Sequence, residues 1–501
     1  MATISSAEHS ATTGNLNTDS VDADSVNTSS SNTVESHSAN AGSRSDSVLS
    51  EVRASASCPA LFLSAPGSGD GKTTITAALA RYFKQQGKVV RVFKTGPDYL
   101  DPQILEQASG QGVEQLDMWM AGEAYCQQMF FEAAKEADLI LVEGAMGMFD
   151  GTPSSADLAA RFNIPIAIVL DVKGMAQTAA AVATGLANFR DDVQVAGLIA
   201  NYCGTERHAN LIEEALPDTL PLLATLARDP EVALPERHLG LVQAAEVRDE
   251  LEKRFSAGVE WIAGNPITQL PAPVEFFSAA VESVGASLRG IRVGIAKDAA
   301  FSFIYQANLR LLEKMGAEYV FFSPLEDTEL PEVDALWLPG GYPELYGAEL
   351  AANKPMLEAI QQVHRVGMPI LAECGGFLYT LETLTDLDEQ QHTLLGLMKG
   401  HGAMRGKRGC QGMQTAVLPE GDIRGHAHHR SRSEGTDEPI SFGRRQRHPA
   451  PGEAIYRHQS LTASYLHLFF PSNPKAIAAI FSGQGCLSID DHESQQVSHA
   501  V

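Results

Sequence analysis

Two short segments, far apart in the chain, carry groups that could do chemistry. The first is GSGDGKTT, residues 67–74, which follows an apolar run and opens a helical pattern. In such a loop the backbone N–H groups around Gly69 and Gly71 converge with the helix N-terminus on phosphate oxygens. Lys72 adds a positive charge near the outer phosphates, and Thr73 can place its hydroxyl on Mg²⁺. The pattern G-x-x-x-x-G-K-[ST] has glycine where this chain has Pro66, so an ordinary Gly-rich turn is the alternative. The stretch LVEGAMGMFDG, 141–151, ends another apolar run with two acids, Glu143 and Asp150. Carboxylates at a strand end opposite a phosphate loop are natural Mg²⁺ ligands; solvated acids of a surface loop are the alternative.

The second segment is PILAECGGFLYTL, residues 369–381. It puts Cys374 at a turn between a strand and a helix. A thiol there projects into solvent, and the helix N-terminus lowers its pKa. Such a thiol is a candidate nucleophile, against the commoner role of a Cys as a small buried hydrophobe. LPGGYPE, 338–344, ends a neighbouring apolar run with a Gly pair. The N–H of Gly341 could thus join that of Gly375 as an oxyanion hole. His467, in ASYLHLFF (463–470), is the distant histidine that a cysteine nucleophile uses as base; taken alone it reads as a core histidine.

These groups need strands to carry them. Short apolar runs at 89–95, 138–145, 165–172 and 194–201 alternate with stretches of helix length. The pattern predicts a parallel sheet covered by helices on both faces. A second series at 291–298, 317–324, 335–341 and 369–373 predicts another α/β domain. The expected organisation is a disordered tail over 1–56, a first α/β domain over 57–228, a linker over 229–289, a second α/β domain over 290–473 and a C-terminal tail over 474–501. The tail reading rests on the Ser, Ala, Asn and Thr content of the first segment. The linker reading rests on the prolines of NPITQLPAPVEFF.

The formal charge of −25 over 501 residues argues against nucleic-acid binding, though not against an anionic small substrate at a locally basic site. Six scattered cysteines without a CxxC pair indicate free thiols in a reducing compartment. With no long apolar segment and no secretory signal, a cytoplasmic location away from membranes is expected. Nothing in the sequence indicates an oligomeric state.

Together, SGDGKTT, KTGPDYLDP (94–102), VEGAMGMFDG, AKDAAFSFIYQANL (296–309), LPGGYPE, AECGGF and ASYLHL resemble the cobyrinic acid a,c-diamide synthase family. The resemblance implies an α/β protein: a P-loop NTPase domain with a dethiobiotin-synthetase-like parallel sheet, then a flavodoxin-like class I glutaminase domain. It implies ATP and glutamine as co-substrates, Mg²⁺ as cofactor, and cobyrinic or hydrogenobyrinic acid as acceptor. Cys374 and His467 would form a dyad. Phe469 stands where other class I glutaminases carry an acid after the histidine. Asp98, Tyr99 and Leu100 would meet the substrate from a firm loop between Pro97 and Pro102. RGHAHHRS (424–431) departs from the family's R-G-H-E-F-H-Y-S and is expected to be a solvated basic loop, followed by an inserted loop. Amidation of other corrin carboxylates, as by a cobyric acid synthase, and a P-loop NTPase without amidotransferase activity are the alternatives.

Overall fold

The computed structural model describes residues 53–237, 240–241, 247–281, 283–405 and 411–483. Most of the expected N-terminal tail lies outside these residues, but order begins before residue 57. Strand β1 spans Ser55–Ser64 and runs into the phosphate loop and helix α1, Lys72–Gln85. Then come β2 (Val90–Thr95), α2 (Leu100–Ser109), β3 (Glu114–Leu116), β4 (Leu139–Glu143), β5 (Ile166–Asp171), β6 (Val195–Asn201) and β7 (Leu222–Leu226). Their order is β3-β2-β4-β1-β5-β6-β7, and every pair is parallel. Strands buried on both faces must be apolar along their length, and β4 and β5 are. The order sets the carboxyl ends of β2, β4 and β1 side by side. Asp98, Glu143 and the phosphate loop follow those three ends, where open parallel sheets bind ligands.

The segment expected to be a linker belongs to this domain. Helix α3, Arg248–Ile262, buries Leu251, Phe255 and Ile262 in the cluster that also holds Ala78 and Leu79 of α1. Strand β8, Pro273–Phe277, pairs antiparallel with the first half of β1. Its Pro273 opens the strand, a position where a missing N–H costs little. Arg81 of α1 fastens α3. Its guanidinium meets Glu252 at 2.5 and 3.0 Å and donates to the carbonyls of Ala108 (3.0 Å) and Gln107 (2.9 Å). Arg81→Ala strands those carbonyls and is expected to cost roughly 2–4 kcal/mol. The check is a lower denaturant midpoint for this domain, and an unchanged midpoint would contradict it.

The second domain contains β9 (Arg292–Ala296), α4 (Gln306–Lys314), β10 (Glu318–Phe322), β11 (Ala335–Leu338), β12 (Ile370–Glu373), α5 (Gly375–Thr380), β13 (Gln411–Leu418), β14 (Gly421–His428), β15 (Ser441–Arg445), β16 (Pro451–His458), β17 (Leu461–Ser464), β18 (Leu466–Leu468) and α6 (Pro474–Ser482). The sheet runs β10-β9-β11-β12-β17-β16-β15-β13-β14-β18. Its first five strands are parallel; the others pair antiparallel. One residue, Tyr465, separates β17 from β18, yet the two are far apart in the strand order. The antiparallel half therefore curls round so that His467 on β18 returns toward the Cys374 strand.

Three expectations fail here. RGHAHHRS is no solvated loop: Arg424–His428 lies in β14, paired with β13 along its whole length, and His426 is buried. The stretch after it holds β15, a strand of the same sheet. The tail from 474 likewise starts with an ordered helix. Asn473 caps α6, Pro474 occupies its first turn, and Ile477, Ile480 and Phe481 are buried. The four described cysteines are free and buried. Among the described residues, no helix is long and apolar enough to cross a membrane.

Candidate active site

The phosphate loop has the backbone that its glycines permit. Gly69 and Gly71 both have φ of 95°. At Gly71 any side chain would also collide with the Asn201 amide, which donates to the Asp70 carbonyl at 2.8 Å. Lys72 folds back on the loop, donating to the carbonyls of Gly67 (2.6 Å) and Met146 (2.9 Å). Burial holds its ammonium below the ordinary value, with Glu143 opposing. The Thr73 hydroxyl donates to Glu143 Oε1 at 2.9 Å, while the buried Oε2 of Glu143 has no partner. Asp150 accepts from the Gly147 amide at 3.2 Å, and no hydrogen bond joins it to Thr73 or Glu143.

Lys94, absent from the candidate residues named above, is the hub of this region. It is buried at the end of β2, with Asp98 at 2.7 Å, Asp101 at 3.7 Å and Glu143 at 3.9 Å. Burial opposes its charge, but the three carboxylates hold it above the ordinary value. Burial also works against the Asp98 carboxylate, and Lys94 outweighs it and keeps Asp98 below its usual range. Asp101, with burial dominant and Asp98 and Glu143 close, is pushed up to about 7. The firm loop expected over 98–101 is shorter than that. Tyr99 is the N-cap of α2, so Leu100 and Asp101 are already helical, and Pro102 sits in the first turn where its missing N–H is harmless.

At the other centre, Cys374 joins β12 to α5 with φ of 48°, an uncommon conformation for a residue with a Cβ. A Cβ on Gly375 would lie 2.8 Å from the Gly341 nitrogen, so these two backbones meet beside the thiol. Cys374 does not project into solvent and its pKa is not lowered. Burial pushes the thiol up, Glu344 reinforces the effect, and the Gly375 amide opposes it. Glu373, one residue earlier, accepts from Trp337 Nε1 (2.9 Å) and from the Leu468 amide (2.8 Å). It thereby ties the His467 strand to the Cys374 strand. Burial raises its carboxyl to about 8.

His467 is buried and neither ring nitrogen has a hydrogen-bond partner, so no hydrogen bond links it to Cys374. Burial, then His426, His428 and His429, keep it well below the ordinary imidazole value and hence neutral. Its ring packs on Tyr99 at 4.7 Å between centroids. Tyr99 stacks in turn on Phe303 (4.8 Å) and shares a 2.7 Å hydrogen bond with the Tyr305 hydroxyl. A residue of the first domain thus holds the candidate base of the second. Tyr99→Ala is expected to lower kcat for glutamine hydrolysis about three- to tenfold, the size of one aromatic contact. Steady-state glutamate release checks it; an unchanged kcat would show that the stack does not place His467.

Two cavities result. One, of about 220 Å³, is lined by Cys374, Gly341, Gly375, Tyr99 and Leu100 among others. The second, of about 790 Å³, lies between Ser68, Met146 and Asp150 on one side and Arg445 and Arg447 on the other. Pro97, Asp98 and His428 line both. Tyr99 and Leu100, expected at the acceptor, therefore face the thiol cavity, whereas Asp98 stands at the common wall.

Residues 61–242 match the CobQ/CobB/MinD/ParA nucleotide binding domain, and residues 292–475 the CobB/CobQ-like glutamine amidotransferase domain. The hydrogenobyrinate a,c-diamide synthase of Stutzerimonas stutzeri is 49% identical over 426 residues, covering 85% of this chain and 99% of that protein. The enzyme of the same name from Pseudomonas aeruginosa is 49% identical, covering 85% and 98%. The cobyrinate a,c-diamide synthase of Herminiimonas arsenicoxydans is 44% identical, covering 84% and 96%. The chain belongs to the a,c-diamide synthase family. The expected α/β pair, a P-loop nucleotide-binding domain followed by a glutamine amidotransferase domain, is present in this chain. Besides Lys94, the expected sites omit His429, which lines the thiol cavity, stacks on Tyr465 at 3.8 Å and sits 3.1 Å from Glu453. Its signal was the third histidine spacing in RGHAHHRS, obscured by the expectation of a loop.

Proposed function

We propose that this chain converts the a- and c-carboxylates of hydrogenobyrinic or cobyrinic acid to amides, using ATP for activation and glutamine as the ammonia source. The observation that carries the reading is the common wall: a thiol cavity and a phosphate-loop cavity share Pro97, Asp98 and His428. Ammonia freed in one has only that wall to pass before it meets the acceptor in the other. The larger cavity also suits a polycarboxylate ring. Although the chain is acidic overall, Arg445, Arg447 and His448 line it opposite the phosphate loop.

Glu143, with its unpartnered Oε2, and Thr73, with its hydroxyl on Oε1, are an all-oxygen donor set that fits Mg²⁺ together with nucleotide phosphates. When bound, the ion would neutralise charge on the β- and γ-phosphates. Lys72, released from Gly67 and Met146, supplies a second positive charge there. The acceptor carboxylate oxygen attacks the γ-phosphorus and ADP leaves. Ammonia then adds to the acyl carbon, phosphate departs, and one proton is lost. Lys94 holds Asp98 ionised beside this step, positioned to accept that proton.

In the smaller cavity His467 takes the thiol proton, and the sulfur attacks the glutamine amide carbon. The amides of Gly341 and Gly375 receive the oxyanion. His467 returns the proton to the departing ammonia, and water hydrolyses the thioester to glutamate. The neutral state of His467 is the one that can accept the first proton. Product mass after incubation with ATP, Mg²⁺, glutamine and either hydrogenobyrinic or cobyrinic acid tests the reading. A diamide of at least one acid is expected; ATP turnover with neither acid amidated would overturn it.

A further inference from the structure

The thiol cavity contains three carboxylates besides the thiol: Asp98, Asp101 and Glu344. The first two are already compensated by Lys94. Glu344 is not. It is 7% exposed, lies in a single 3₁₀ turn over Pro343–Leu345, and among the described residues no ion pair holds it. Burial pushes its carboxyl up to about 7, opposed among the described residues by its own backbone amide. A buried carboxylate left without a cation is costly unless a ligand supplies one. It lines the same cavity as Cys374, and its charge adds to burial in pushing the thiol up.

The same cavity holds an unpaired cation. Arg430 lines it, partly buried, and no ion pair holds Arg430 among the described residues. It lies two residues beyond the end of β14, where the family pattern RGHEFHYS has tyrosine. One small cavity therefore presents a nucleophile, the neighbouring backbones of Gly341 and Gly375, and a carboxylate and a guanidinium that no ion pair holds among the described residues.

We infer that Glu344 and Arg430 form the α-amino-acid clamp of the glutamine site, Glu344 accepting from the α-ammonium and Arg430 donating to the α-carboxylate. This rests on the reading of the cavity as a glutaminase centre. Glu344, in its 3₁₀ turn, is three residues beyond Gly341 at the strand end. The backbone that receives the oxyanion therefore also fixes how far the ammonium sits from the scissile amide. A guanidinium suits the carboxylate end because its paired N–H groups match both oxygens. Binding the zwitterion also neutralises Glu344 electrostatically, removing a charge that opposes thiolate formation at Cys374.

The test uses the full chain, ATP and corrin acid, with three amides as nitrogen donors: glutamine, glutaramate, which lacks the α-amino group, and 4-aminobutanamide, which lacks the carboxylate. For Glu344→Gln, kcat/KM for glutamine should fall roughly ten- to a hundredfold, the size of a charge-assisted hydrogen bond, mainly through KM. For glutaramate it should not fall. For Arg430→Met the loss should appear with glutamine and be absent with 4-aminobutanamide. Ammonia-driven amidation in both variants reports that the fold survives. An equal loss with all three amides overturns the clamp and leaves a general effect on the thiol; no loss with glutamine overturns it outright. A wild-type protein that hydrolyses no glutamine removes the glutaminase reading and the clamp with it.

Discussion

Cys374→Ala is expected to abolish glutamine-driven amidation, a loss of at least about a thousandfold, while ammonia-driven amidation stays within about a factor of two of wild type. In the proposed reaction the Cys374 sulfur carries the acyl intermediate, and alanine offers no nucleophile in its place. Nothing at the phosphate loop depends on it: Lys72 donates to the carbonyls of Gly67 and Met146, and Thr73 donates to Glu143. Removing one sulfur from a buried site leaves the β12–α5 backbone in place. The measurement is amide formation with glutamine and, separately, with ammonium at a pH where free ammonia is plentiful. Failure of ammonia to rescue would mean that Cys374 supports the synthetase centre or the fold.

Lys72→Ala is expected to lower amidation by at least about a hundredfold with either nitrogen donor. Activation of the carboxylate precedes the use of ammonia, so the nitrogen source cannot matter. The variant also loses two hydrogen bonds that close the loop, to Gly67 and Met146, so some loss of loop order accompanies the loss of charge. Basal glutamine hydrolysis should persist, because Cys374 lies in a different cavity. Phosphorylation or amidation at wild-type rates in this variant would remove the phosphate loop from the reaction.

The local structure at these two candidate centres was legible in the sequence for a physical reason. A phosphate loop needs glycines at positions of positive φ and a lysine at a helix start, and both requirements are local. The same holds for Cys374, whose strand, turn and glycines are consecutive. What was not legible depends on contacts between distant segments. Lys94 falls within the apolar run 89–95 and drew no separate expectation; only the strand order β2-β4-β1 brings Glu143 beside it. RGHAHHRS looked solvated because it is polar, yet its pairing with β13 buries His426 and turns His429 toward Tyr465. The segment over 229–289 looked like a linker because of its prolines, whereas its helix and strand complete the first domain against α1 and β1. Tyr99 was expected at the acceptor and instead packs on His467, since α2 starts one residue after it and turns its ring toward the second domain.

The account stands or falls on whether ammonia made at Cys374 is used at the phosphate loop of the same chain. The direct measurement is amidation with glutamine labelled with ¹⁵N in its side-chain amide, in the presence of excess unlabelled ammonium at a pH where little free ammonia exists. Mass analysis of the corrin product then reads the origin of each nitrogen. The account predicts that both new amides carry the label, because transfer across the wall formed by Pro97, Asp98 and His428 outruns exchange with solution. Product carrying mostly unlabelled nitrogen would contradict it, since the two cavities would then be working as separate enzymes.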